Sequence, residues 1–341
     1  VPQPPRRRRS SISDVARLAG VSVGTVSNVL NRPQRVSAAT RERVQAAIAE
    51  LQFVPNGSAR QLRVGSVTTA GAIVLDLTNP FFTDVARGME DRLAQDDWTL
   101  MVASSEEAPE REARFRRLFE QHGVQGVALV PSSEDVAPLL ALHERGVRVV
   151  LLDRPSPVPQ LASVAVDDVA GAAMAARHLL AQGHRRLVLL NGPRTILQCA
   201  DRSAGVVAAL TEAGLDPAEA LEEVTVTLNA AGGERGAREV LARRTGRGPV
   251  AVFCVNDLVA LGVLRTLRRE GVDVPGEVAV VGYDDVSYAA ELTVPLTSVR
   301  QPTHDLGWTA ADLLVRGGAA ESVVFQPELV VRESSGGGAA G

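Results

Sequence analysis

From residue 71 onward the chain changes its hydrophobic period, and that change restricts the fold more than any other feature. Continuous apolar runs at 72–77, 99–103, 126–131, 147–152, 187–191, 250–255 and 278–282 alternate with amphipathic stretches at 82–95, 111–121, 169–182, 202–213 and 257–270. A strand that is apolar at every position, not every second one, is buried on both faces. Such strands separated by helices build parallel sheets with helices on either side. The units are too many for one tidy sheet, and a break falls near 163–168. The expected fold class is therefore two doubly wound α/β lobes, with ligand beyond the strand carboxyl ends.

The stretch before residue 64 obeys different rules. Residues 1–63 hold eleven arginines against Asp14, Glu42 and Glu50, a surplus of eight positive charges, whereas the remainder holds 25 arginines against 37 carboxylates. A basic head on an acidic body is the electrostatic footprint of a nucleic-acid reader joined to something else. Arg6 to Arg9 alone read equally well as a solvated arm, but the other seven lie within patterned sequence. Ser11-Ile12-Ser13-Asp14 has the form of a capping box and starts a helix that Gly20 ends. Ser22 caps a second helix, which Asn31-Arg32-Pro33 stops, and Ser37 caps a third. Two short helices joined by a glycine-containing turn make a helix-turn-helix. A ligand-free three-helix bundle is the alternative, and the shortness and basicity of the segment weigh against it.

Several function classes drop out. No apolar run approaches the roughly 18 residues that span a bilayer, so no membrane partner is expected. The Pro- and Arg-rich start has no apolar segment after it and does not read as a secretory signal. Cys199 and Cys254 make no disulfide framework, which fits a reduced cytoplasm. The five histidines are scattered without metal-ligand spacing, and there is no G-x-S-x-G elbow or P-loop. No enzyme activity, cofactor or metal is expected. A solute-binding receptor would explain the body but not the head.

Residues 11–63 closely resemble the lactose-repressor (LacI/GalR) family. The resemblance rests on Ile12-Ser13-Asp14-Val15-Ala16, Ala19-Gly20-Val21-Ser22, Thr25-Val26-Ser27, Val29-Leu30-Asn31, Val36-Ser37 and Pro55-Asn56. It continues through Asn79-Pro80-Phe81-Phe82, Leu152-Asp153-Arg154, Arg202-Ser203-Ala204-Gly205, Gly282-Tyr283-Asp284-Asp285 and Arg300-Gln301-Pro302. It implies a disordered basic arm at 1–10, a helix-turn-helix domain at 11–54, and a hinge helix with linker at 55–70. An effector-binding and dimerisation core at 71–333, like periplasmic sugar-binding proteins, would follow. Its first lobe would take 71–165 and 298–325 and its second 166–297 and 326–333, with a disordered tail at 334–341. No long C-terminal heptad helix follows the core, so a homodimer is expected.

The resemblance carries DNA contact to Val23, Gly24 and Asn28 as base readers. Asn28 can pair with adenine, Val23 can pack on a thymine methyl, and Gly24 offers no side chain. Ser22, Thr25, Ser27, Arg35, Ser37 and Asn56 suit phosphate or positioning contacts. Ala59 and Leu62 fall in the candidate hinge helix, where Leu62 would wedge into the minor groove at the centre of a palindromic operator. The resemblance places the effector between the lobes, against Asp76, Phe81, Phe82, Asp153, Arg154, Arg202, Asn256 and Asp284. Carboxylates and Arg suit hydroxyl groups, and aromatics cover a sugar face, so a sugar or sugar derivative is expected. One departure stands out. The second-lobe position that often carries a stacking aromatic reads Asn229-Ala230-Ala231-Gly232-Gly233, which leaves room for a small polar or phosphorylated ligand. The expected function is a sequence-specific transcriptional regulator, most simply a repressor, under ligand control.

Overall fold

The computed structural model describes residues 10–53, 68–243 and 250–336. The chain divides into two compact units, Val1–Val67 and Thr68–Gly341. The first holds α1 (Ile12–Ala19), α2 (Val23–Asn31) and α3 (Ala38–Glu50), with a 3-10 turn at Pro33–Arg35. At the start of α1 the Ser11 hydroxyl accepts the Asp14 N–H while the Asp14 carboxylate accepts the Ser11 N–H at 2.9 Å. Caps of this kind are each worth about 1 kcal/mol. Gly20 ends α1 at φ 65°, a left-handed conformation that penalises a Cβ. Ser22 and Ser37 cap α2 and α3. Val15, Val26 and Val44 are fully buried and centre a small core of their own.

The second unit contains two six-stranded sheets. The first lobe combines β1 (Thr69–Val74), α4 (Pro80–Ala94), β2 (Thr99–Ser104), α5 (Pro109–Gln121), β3 (Gly126–Leu129), α6 (Ala137–Glu144), β4 (Arg148–Leu152) and β5 (Ala162–Val166). The second runs through α7 (Asp168–Ala181), β6 (Leu187–Asn191), α8 (Leu197–Glu212), α9 (Pro217–Ala220), β7 (Leu221–Thr225), α10 (Ala230–Arg243), β8 (Val250–Cys254), α11 (Asp257–Arg269), β9 (Val278–Asp284) and β10 (Thr297–Arg300). The chain then returns to the first lobe with α12 (Thr303–Arg316) and β11 (Ser322–Phe325), and ends in the second with β12 (Glu328–Val330). The sheet orders are β11-β5-β4-β3-β1-β2 and β12-β10-β9-β8-β6-β7. Every pairing is parallel except β10 with β12. In each sheet the order reverses beside its first strand, which opens a crevice at the carboxyl ends.

Three expected boundaries move. The core begins at β1, two residues before 71. The second crossing follows β10 and falls at 301–302 rather than 297, because Thr297–Arg300 pairs with β9 in the second sheet. The expectation of a disordered tail from 334 is corrected: Ser334 and Ser335 are buried in a 3-10 turn, and Ser334 donates its hydroxyl to the Val280 carbonyl at 2.6 Å. Small hydroxyl side chains fit there because they satisfy backbone groups on the sheet face. No described helix is long and apolar enough to cross a membrane.

Candidate functional site

The carboxyl ends of both sheets face a common cleft whose cavity measures about 50 Å³. Asp76 follows β1, Asp153 follows β4, Asn256 follows β8, and Asp284 ends β9. Arg202, one turn into α8, is buried among them, and its Nε donates to Asp168 at 2.8 Å. Its guanidinium also donates to the Val255 carbonyl, lies 3.7 Å over the Tyr283 ring, and comes within 4.0 Å of Asp284. Burial works against its charge, but Asp168, Tyr283 and Asp284 outweigh that and hold its pKa above the ordinary value. Asp284 accepts hydrogen bonds from Gln301 Nε2 (2.8 Å) and Asn79 Nδ2 (3.4 Å). Burial still pushes its carboxyl up to about 6, with Arg202 and both amides pulling the other way. Asp153 is raised well above the carboxylate range by burial, and next by Asp168. Its Oδ2 accepts from Gln198 Nε2 at 2.9 Å, while its buried Oδ1 has no partner. Asp153 and Asp284 both hold left-handed backbone, at φ 60° and 106°. Such conformations cost of order 1–3 kcal/mol and cluster at ligand clamps.

Seven of the eight expected effector residues line the cavity: Asp76, Phe81, Phe82, Asp153, Arg202, Asn256 and Asp284. Arg154 does not. It is buried beside the cleft, and its Nη1 donates to the Ser133 carbonyl at 3.2 Å, because the left-handed turn at Asp153 sends successive side chains different ways. Phe81 and Phe82 meet edge to face, 4.9 Å between centroids, and pack into the first-lobe core while lining the cavity.

In the first unit, α2 projects Val23, Gly24 and Asn28 outward from its exposed face. Val23 is 44% exposed although apolar, which no packing need explains. Ser22 spends its hydroxyl on the Thr25 backbone and meets the Thr25 hydroxyl at 2.9 Å. Arg35 and Ser37 are exposed, and Thr25 and Ser27 are half-buried. Asn56, Ala59 and Leu62 lie outside the described residues.

The profile of bacterial regulatory proteins of the lacI family matches residues 11–56, and that of the periplasmic binding protein-like domain matches residues 176–335. The chain is 32% identical over 334 residues to the HTH-type transcriptional repressor PurR of Aliivibrio fischeri, covering 95% of this chain and 98% of that one. It belongs to the LacI family of transcriptional regulators. Solved LacI-family structures carry the same fold. A transcriptional regulator CelR–cellobiose complex matches with TM-score 0.69 and 33% identity, over 96% of this chain and all of that one. The Lac repressor dimer bound to operator and the anti-inducer ONPF matches with TM-score 0.79 and 29% identity, over 96% of this chain and 99% of that one.

This LacI-family cleft also contains residues that sequence reasoning missed. Gln198 sits one turn before Arg202 on the same face of α8 and reaches across to Asp153 of the first lobe. Its i, i+4 spacing from Arg202 was the available signal. Glu107 enters from the loop after β2, in left-handed backbone at φ 59°, and no pattern announces it. Burial, then Asp76, raises its carboxyl above the ordinary value. Cys199 faces the cavity with its thiol pushed to about 11 by burial, which leaves it protonated and unreactive at neutral pH. Leu228 lines the cavity just before the aromatic-free stretch 229–233.

Proposed function

We propose that this LacI-family chain represses transcription as a homodimer on a palindromic operator, and that a small polar effector of the sugar class, held between the lobes, sets its DNA affinity. The observation that carries this reading is the convergence of Asp76, Asp153, Arg202, Asn256 and Asp284 on one cavity at the carboxyl ends of both sheets. Groups from two lobes around one ligand make lobe closure depend on that ligand, and a state-dependent contact is what a switch requires. On the DNA side, Val23, Gly24 and Asn28 would face base edges, with Ser22, Thr25, Ser27, Arg35 and Ser37 on phosphates. Asn56 keeps the phosphate or positioning role, and Ala59 and Leu62 the hinge-helix and minor-groove role, that the family resemblance implies. The work assigned to the chain is binding, not catalysis, and its DNA target places it in the cytoplasm. CelR with cellobiose and the Lac repressor with ONPF support a carbohydrate-class effector.

Genomic fragments captured by the full chain and sequenced would give the operator, and gel shifts at increasing salt would test the contact. Because each subunit would neutralise several phosphates and release their counterions, added salt should weaken specific binding by roughly 10³ or more between low and moderately high salt. A nearly flat log–log salt plot would contradict a DNA-binding head.

A further inference from the structure

The cleft is short of positive charge. Among the described residues, Asp76, Glu107 and Asp284 line it, with the proton-holding carboxyl of Asp153, against one cation, Arg202, whose Nε already pairs with Asp168. The donors of the wall are also committed. Gln198 gives its N–H groups to Asp153, Asn79 donates to Asp284, Asn256 donates to the Leu228 carbonyl, and Arg202 Nη1 donates to the Val255 carbonyl. One polar atom is left over: Asp153 is only 5% exposed, and its Oδ1 has no hydrogen-bond partner. A buried carboxyl oxygen in that state needs a polar partner from the ligand, and a cationic donor satisfies it by drawing off the proton that burial holds there. A bare metal ion does not supply it, since no group of acids, cysteines and histidines among the described residues converges tightly enough to hold one. A phosphorylated ligand would add negative charge to a wall that already repels itself, as burial and then Asp76 raising the Glu107 carboxyl shows. Leu75, Ile196, Leu228 and Val255 cover the remaining surface and suit the C–H faces of a compact ring.

We infer that the effector carries a protonated amine on a hydroxylated skeleton, the chemistry of an amino sugar, and that its neutral and phosphorylated counterparts bind more weakly. The inference rests on the effector cleft proposed above. The ammonium brings donors to Asp153 and neutralises part of the wall; hydroxyls meet Asp284 and Arg202.

Thermal-shift titration of the full chain at pH 7 with matched probes tests it: glucosamine against glucose, galactosamine against galactose, mannosamine against mannose, and glucose 6-phosphate. The expected result is at least one amine that binds tenfold or more tighter than its neutral partner, with no shift from the phosphate. The double variant Asp76→Asn/Glu107→Gln removes two carboxylates of the wall while leaving Asp153 in place, and should cut that amine's advantage over its partner at least threefold. A neutral sugar or the phosphate that matches or beats its amine would overturn the inference and leave the effector cleft standing. An amine advantage retained in full by the double variant would overturn its electrostatic origin. No shift with any probe would overturn both the inference and the cleft.

Discussion

Asp284 concentrates the chemistry of the cleft in one carboxyl. An aspartate with an ordinary value of 3.8 here titrates at about 6, because burial disfavours its charge more than Arg202, Asn79 and Gln301 favour it. Between those values the folded chain holds a proton that the unfolded chain has released. Stability from this group is therefore complete below about pH 4 and is lost as pH rises through 6. Asp284→Asn lacks the titration and can still accept one amide hydrogen bond. Its stability relative to the parent should improve between pH 4 and pH 7 by up to about 3 kcal/mol, read from denaturant melts of both proteins. A difference that stays flat with pH would refute the assignment. Arg202→Ala is a poorer probe, since it strands Asp168 and costs about 3–5 kcal/mol on its own. At the other end of the chain, Gly24 has no packing reason to be glycine. A Cβ there would meet only the Ser22 hydroxyl, at 3.6 Å. Gly24→Ala should stabilise α2 by about 0.5–1 kcal/mol, seen as roughly two- to fivefold slower exchange of its protected amides. It should also change base preference at one operator position, as selection from random sites would show. Unaltered preference would place Gly24 away from the bases.

Among the elements, helix pairs are set by glycines that let backbones touch. A Cβ at Gly307 of α12 would fall 1.9 Å from the Val85 carbonyl of α4, and one at Gly88 would fall 2.0 Å from the His304 carbonyl. Gly307→Ala must push the two helices apart. Overpacking of this kind costs about 1–3 kcal/mol, so the core should melt several degrees lower. An unchanged melting temperature would mean that the helices separate freely. The long, buried elements were legible: β4, β6, β8 and β9 are apolar at nearly every position, and their runs stand out in the sequence. Those that escaped notice have physical excuses. β7 is an edge strand reading Leu-Glu-Glu-Val-Thr, half-exposed and without a continuous run. α10 opens with Ala-Ala-Gly-Gly, small residues that leave no amphipathic stripe because they pack against α11 backbone. β5 lies where the sequence reads as a break between lobes, because the chain leaves the first lobe directly after it.

At the scale of the molecule, charge asymmetry and the change of hydrophobic period expose the two-unit plan, and motif residues expose most of the cleft. What stayed hidden comes from contacts between residues far apart in sequence. Gln198 gains its meaning only from Asp153 in the other lobe, and Glu107 from lining the same cavity as Asp76 in its own lobe; neither relation is local in sequence. Those cross-lobe contacts are also where ligand control would originate, since Gln198 with Asp153 and Asn79 with Asp284 bridge the cleft. The most direct test is a titration of the full chain onto a palindromic operator recovered from genomic DNA, with and without a ligand shown to stabilise the core. Ligand is expected to change operator affinity at least tenfold, a coupling of about 1.4 kcal/mol or more, and Asp284→Asn should keep operator affinity while losing most of that response. An operator affinity that is identical with the cleft empty and with it filled would contradict ligand control.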